Sequence, residues 1–149
     1  MKKIITGTLV LLMAMNVAAQ LNPVSWTFTA KKKSDKTYEI HMKATLQEGW
    51  HLYSQTQPED AIALPTSFAF NSNPLLALDG KIKEIGKVEK FSDPRLGSAN
   101  QYSMTVDFVQ VIKLKVKAKT NITGNLEYQT CNNEKCLPPK KVNFSIAIP

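Results

Sequence analysis

The stretch Tyr38-Glu39-Ile40-His41-Met42-Lys43-Ala44-Thr45-Leu46 alternates apolar and polar side chains without interruption. A strand sends successive side chains to opposite faces, so this period of two predicts a β-strand with one buried and one wet face. The same period recurs outward in both directions. Val24, Trp26 and Phe28 form one apolar face upstream. Downstream, Tyr102, Met104, Val106 and Phe108 continue in the same parity through Ile112, Leu114, Val116 and Ala118, a run long enough that a bend or a change of sheet is expected near Gln110. Leu126 and Tyr128 begin a further strand, and Val142, Phe144, Ile146 and Ile148 form the last. Trp50–Tyr53, Ser67–Phe70 and Lys81–Val88 are shorter candidates.

No window carries the helical period. Turn residues separate the strands, as in Asn71-Ser72-Asn73-Pro74 and Thr123-Gly124-Asn125. The expected fold class is all-β, an immunoglobulin-like β-sandwich. Two long loops are expected, Ser54 to Leu64 and Phe91 to Gln101, and loops on a rigid sandwich are where function concentrates.

Residues 1–19 read as a signal peptide: Lys2 and Lys3 form a basic start, Ile4 to Met15 an apolar run, and Val17-Ala18-Ala19 a small-residue cleavage site. The apolar run falls well short of the roughly 20 residues that span a bilayer, so no membrane anchor is expected. Nor does a cysteine follow the cleavage site to accept a lipid. Residues 20–149 then form one domain with room for a real core.

Without Lys2 and Lys3, 17 basic residues stand against 12 acidic ones, a moderate excess. Lys113, Lys115, Lys117 and Lys119 recur at every second position, which places them on the wet face of a strand. No phosphate loop or basic segment interleaved with aromatics accompanies them, so nucleic acid is not an expected partner.

The chain has two cysteines, in Cys131-Asn132-Asn133-Glu134-Lys135-Cys136. A strand ends just before them and Pro138-Pro139 precedes the last strand, so a turn holds them close. In an exported protein such a pair is able to form a disulfide. Two uses remain open: a structural staple, or a redox pair working by thiol–disulfide exchange. The chain-entropy estimate for so short a loop is about 2 kcal/mol, a modest return for a staple in a domain of this size. Lys135 favours the thiolate of its neighbour Cys136 and Glu134 opposes it. The prolines restrict the chain beyond Leu137, which would keep Cys136 at the rim of the sheet. A zinc site adding His41 and His51 is disfavoured, because the cysteine spacing is at the edge of ligand patterns and the histidines lie far off in sequence. Both histidines read as surface residues, with no nearby Ser or Asp arrangement for hydrolysis. The triplets at Asn121 and Asn143 match a glycosylation pattern that arises often by chance.

Tyr128-Gln129-Thr130-Cys131, four residues, and Cys136-Leu137-Pro138-Pro139 before a closing strand resemble the N-terminal periplasmic domain of the thiol:disulfide interchange protein DsbD family. Gly49-Trp50-His51-Leu52-Tyr53-Ser54 is similar to an early segment of that family, and the likeness runs from about Asn22 to Pro149. The resemblance implies a periplasmic sandwich that passes electrons from a membrane-embedded donor to thioredoxin-like or disulfide isomerase proteins, with no metal or organic cofactor. It implies that Cys136 attacks and Cys131 resolves. It also implies a cap loop over the pair, for which the matching segment holds Phe91, Asp93 and Leu96. Family proteins continue into membrane helices and a thioredoxin-like domain. This chain stops at Pro149, so a donor acting in trans is expected. The rival expectation is a non-catalytic binding module with a structural disulfide.

Overall fold

The computed structural model describes residues 21–95 and 97–149. The expected signal peptide and Leu96 lie outside them. The described chain is all-β, an immunoglobulin-like sandwich of eleven strands. In order these are β1 (Val24–Lys32), β2 (Thr37–Leu46), β3 (His51–Tyr53), β4 (Ser67–Phe70), β5 (Leu76–Ile85), β6 (Val88–Asp93), β7 (Gly97–Tyr102), β8 (Thr105–Leu114), β9 (Thr120–Tyr128), β10 (Thr130–Cys131) and β11 (Lys140–Ile148). Three antiparallel sheets form, ordered β1-β2-β8-β5, β11-β9-β4 and β10-β3-β7-β6.

The alternation of β2 does what its sequence requires. Tyr38, Ile40, Met42, Ala44 and Leu46 are buried while the intervening residues are not. They meet Phe108 and Ile112 from β8 and Ile122, Leu126, Phe144, Ile146 and Ile148 from the β11-β9-β4 sheet in one core. Aromatic rings cement the two layers. Trp26 packs against Phe68 and Phe108 at centroid separations of 6.4 and 5.9 Å. The tilted and edge-on geometries are those that aromatic quadrupoles favour.

The third sheet continues the other two. β3 follows β2, β6 follows β5, β7 leads into β8, and β10 follows β9. It therefore grows from one end of the sandwich, and the cysteine turn is carried there.

Several strand expectations are corrected. β8 continues through Gln110 without a change of sheet, and its pairing with β2 is unbroken there, Gln110 lying opposite Ile40. The irregularity belongs to its neighbour β5, whose register slips between Asp79 and Lys83. Gln110 is buried, and its Nε2 donates to the carbonyls of Asp79 and Gly80 that the slip releases. The chain changes sheets earlier, at Ser103-Met104, where Met104 has φ 63° and its carbonyl accepts from Leu46 N–H. β8 ends at Leu114, so Lys115, Lys117 and Lys119 do not share a strand face with Lys113; Val116, half exposed, marks where the chain leaves the sheet.

Thr123-Gly124-Asn125 is not a turn but the middle of β9. Gly124 is needed there because a Cβ would run into the carbonyl of Ala69 and the ring of Phe144. Glycine in a strand marks close approach as well as turns. The strand expected at Lys81–Val88 divides between β5 and β6, and the loop expected from Phe91 to Gln101 is a β6–β7 hairpin. The other long segment, Ser54 to Leu64, has no strand of its own.

Candidate functional site

Cys131 ends β10 and Cys136 lies five positions on, joined to it by a disulfide with a Cα separation of 4.0 Å. Local chemistry sets this turn. The Oδ1 of Asn132 accepts the backbone N–H groups of Glu134 at 2.9 Å and Lys135 at 2.8 Å. Asn132 N–H donates to Lys135 O, and Leu137 N–H to Thr130 O, each at 2.9 Å. An Asx turn of this kind is what asparagine stabilises best. The two sulfurs end in unlike surroundings. Cys131 is 5% exposed and packs with Tyr53 and Ala99 in a small core, whereas Cys136 is exposed.

β3 lies beside the pair. Cys131 is directly opposite His51 in the ladder, and Thr130 is opposite Leu52. Alternation places His51 and Tyr53 on one face and Leu52 on the other. On the cysteine face a cleft of about 350 Å³ opens, bounded by His51, Tyr53, Ile62, Phe91, Cys131 and Cys136 among others. Ile62 is 75% exposed and Phe91 41% exposed, so the rim offers apolar surface to solvent.

The Ser54–Leu64 segment is tied down at several points. Glu84 accepts Ser54 Oγ at 2.8 Å, Gln55 N–H at 2.7 Å and Tyr102 Oη at 2.6 Å. Burial, then the Glu84 carboxylate, holds the Tyr102 phenol well above its ordinary range. Gln129 links the segment to the cysteine turn, its Oε1 accepting Leu64 N–H at 3.3 Å and its Nε2 donating to Leu137 O at 3.2 Å.

The expected cap residues take separate places. Phe91, on β6, lines the cleft beside both cysteines. Asp93 ends β6, and its Oδ1 accepts Arg95 N–H at 2.8 Å. Leu96 lies outside the described residues. Gly97 reopens the chain with φ 75°, and a Cβ there would strike the carbonyl of Asp60, so the hairpin tip sits against the Ser54–Leu64 segment.

Neither histidine is the simple surface residue expected. His41 Nδ1 lies 2.8 Å from Asp107 Oδ2 on the sandwich. His51 Nδ1 lies 3.0 Å from Ser103 Oγ, which in turn donates to Glu89 Oε2 at 2.9 Å. The sequence hid this second arrangement because Ser103 and Glu89 are far from His51 along the chain; only the β3-β7-β6 pairing unites them. A partial signal existed, since the alternation of His51 and Tyr53 in a strand beside the cysteines assigns both to one face. Among the described residues no cluster of three His, Cys, Asp or Glu side chains is placed to hold a metal ion.

Comparison with known proteins agrees with this architecture. The crystal structure of the Neisseria meningitidis DsbD N-terminal domain in its reduced form superposes with a TM-score of 0.53 at 15% identity, over 82% of this chain and 84% of that one. The N-terminal periplasmic domain of ScsB from Proteus mirabilis gives 0.56 at 19% identity, over 86% of this chain but 47% of that one. The complex between the DsbD and PilB N-terminal domains of Neisseria meningitidis gives 0.51 at 15% identity, over 85% of this chain and 86% of that one. At these identities the likeness is one of fold. A search of curated proteins finds no match. The profile of the family described as thiol:disulfide interchange protein DsbD, N-terminal, matches residues 18–147, and the chain belongs to that family.

Proposed function

We propose that the protein is an exported thiol–disulfide carrier in which Cys136 is the attacking thiolate and Cys131 the resolving thiol. The observation that carries this reading is the asymmetry of the pair at the cleft, Cys136 being an exposed residue and Cys131 only 5% exposed. An incoming disulfide reaches Cys136 first. The Cys136 thiolate attacks it, one partner sulfur leaves as thiolate, and a mixed disulfide forms. Cys131 then attacks the Cys136 sulfur, the internal disulfide closes, and the second partner sulfur leaves. The partner gains two electrons and two protons, and the pair is oxidised.

The staple reading is weaker for a physical reason: backbone and Asn132 hydrogen bonds already close the turn that the disulfide would brace. The equilibrium potential separates the two, since structural disulfides typically lie below about −300 mV and exchanging pairs above it.

The oxidants in this reading are thioredoxin-like or disulfide isomerase proteins, and a membrane-embedded reductase returns the electrons. Support comes from family membership and from a solved complex of a DsbD N-terminal domain with a PilB N-terminal domain. Among the described residues no helix is long and apolar enough to cross a membrane. We place the working domain in the periplasm, with residues 1–19 removed as a signal peptide. Intact mass of protein from the periplasmic fraction checks this: a chain beginning at Gln20 is expected, and one retaining Met1 rejects it.

Cys131→Ser is expected to accumulate mixed disulfides through Cys136, because an attacking thiol without its resolving neighbour cannot release its partner. Cys136→Ser is expected to trap far less. Equal trapping by both variants, read on non-reducing gels after acid quenching, would reject the assigned roles.

A further inference from the structure

The arrangement of His51, Ser103 and Glu89 determines where the imidazole proton sits. A carboxylate only accepts, so the single hydroxyl hydrogen of Ser103 goes to Glu89, at 2.9 Å. The contact between Ser103 Oγ and His51 Nδ1 at 3.0 Å must then be a donation from Nδ1–H to the serine oxygen. The neutral ring is thereby held in one tautomer, with the lone pair on Nε2. Glu89 thereby fixes the serine hydroxyl that in turn holds the ring.

That base stands beside a thiol that needs one. His51 is the direct ladder partner of Cys131, and side chains so paired in an antiparallel sheet have Cβ atoms roughly 4.5–5.5 Å apart on one face. Both residues line the same cleft. Cys131, buried with Tyr53 and Ala99, must give up its thiol proton in order to attack.

We propose that His51 is the proton acceptor for Cys131 in the resolving step, with Ser103 and Glu89 as its positioning residues. This rests on the exchange reading given above. The Cys131 thiol passes its proton to His51 Nε2 as its sulfur bonds to Cys136. The bond between Cys136 and the partner sulfur breaks, and the departing thiolate takes the proton back from the imidazolium. Protons and electrons balance without a further reagent.

The groups facing the ring are few. Glu89 acts through Ser103, Cys131 lies across the ladder, and Tyr53 and Cys136 share the cleft. Glu134 and Lys135, of opposite charge, occupy the exposed turn beyond. Tyr102 is paired with Leu52 and therefore falls with Glu84 on the opposite face of the sheet.

The test uses reduced full-length protein mixed with dithiodipyridine, which releases one coloured thiopyridone when Cys136 attacks and a second when Cys131 closes the ring. In the wild type the second release is expected to show an inflection in the histidine range, between roughly pH 5 and 8. His51→Gln should lose that inflection and slow the second release at neutral pH by at least about tenfold. Glu89→Gln keeps an acceptor for Ser103 but removes the charge, so the inflection should move to lower pH while ring closure persists. This variant leaves the cleft itself intact, so its shift does not depend on whether His51→Gln folds. A second release in His51→Gln that superposes on the wild type in rate and pH profile, or a Glu89→Gln profile that does not move, overturns the assignment of His51. If the wild type itself never gives the second release, the pair does not close, and the exchange reading falls together with this one.

Discussion

At the scale of single residues, Asn132 does more for the cysteine pair than its ordinary composition suggests. Its one carboxamide oxygen satisfies the amides of Glu134 and Lys135, which would otherwise depend on solvent. Replacing a side chain that accepts two exposed backbone N–H groups costs about 1 kcal/mol. Asn132→Ala is therefore expected to lower the stability of the reduced protein by about that amount, with Asn132→Asp retaining most of it because the acceptor stays. Urea unfolding of both variants under reducing conditions reads the difference. If aspartate loses as much as alanine, the acceptor is not what holds the turn. Reduced protein is the right sample, since the disulfide otherwise restrains the same turn in the unfolded chain.

At the scale of elements, the β6–β7 hairpin and the Ser54–Leu64 segment enclose the cleft from two sides. Phe91 is 41% exposed and lies outside the main core, so truncating it removes little buried area. We expect Phe91→Ala to speed alkylation of reduced Cys136 by a small reagent, at fixed pH, while stability falls by about 1 kcal/mol or less. That is well short of the roughly 2–5 kcal/mol that core truncations cost. Alkylation rate and unfolding free energy, measured on the same preparation, decide it: a large stability loss with unchanged alkylation would assign Phe91 to the core. The hairpin also shows why this region reads as a loop in sequence. Its strands Val-Glu-Lys-Phe-Ser-Asp and Gly-Ser-Ala-Asn-Gln-Tyr lack a sustained apolar alternation, because the sheet they join is a small extension with its own minor core of Tyr53, Ala99 and Cys131.

At the scale of the whole molecule, three buried phenols couple stability to alkaline pH. Burial raises Tyr53, Tyr102 and Tyr128 above the ordinary value of 10.0, with Glu84 adding to the effect at Tyr102. Each folded-state pKa is raised, so the folded protein keeps protons that the unfolded chain releases. The contribution is complete below about pH 10 and is lost as pH climbs from there toward the folded values. Wild-type stability should fall steeply above pH 10, and Tyr102→Phe should fall less steeply across the same interval. Unfolding curves between roughly pH 8 and 11 test this. Identical slopes would mean that Tyr102 is not held protonated.

The sequence by itself determined the sandwich and the position of its cysteine pair. Alternation along Tyr38–Leu46 and Val142–Ile148 is a property of neighbouring residues, and burying one face of such strands leaves few alternatives to packing two sheets together. The cysteine pair was legible for the same reason, being closed by a turn within six residues. What required long-range pairing was not legible. Whether Gly124 makes a turn or a close crossing depends on Ala69 and Phe144, and whether Gln110 bends its own strand depends on a slip in β5. His51 looked like a surface residue until the sheet brought Ser103 and Glu89 behind it and Cys131 beside it. Only the tertiary structure decided these, because a hydrogen bond or a steric conflict between residues distant in sequence leaves no periodic trace in the chain.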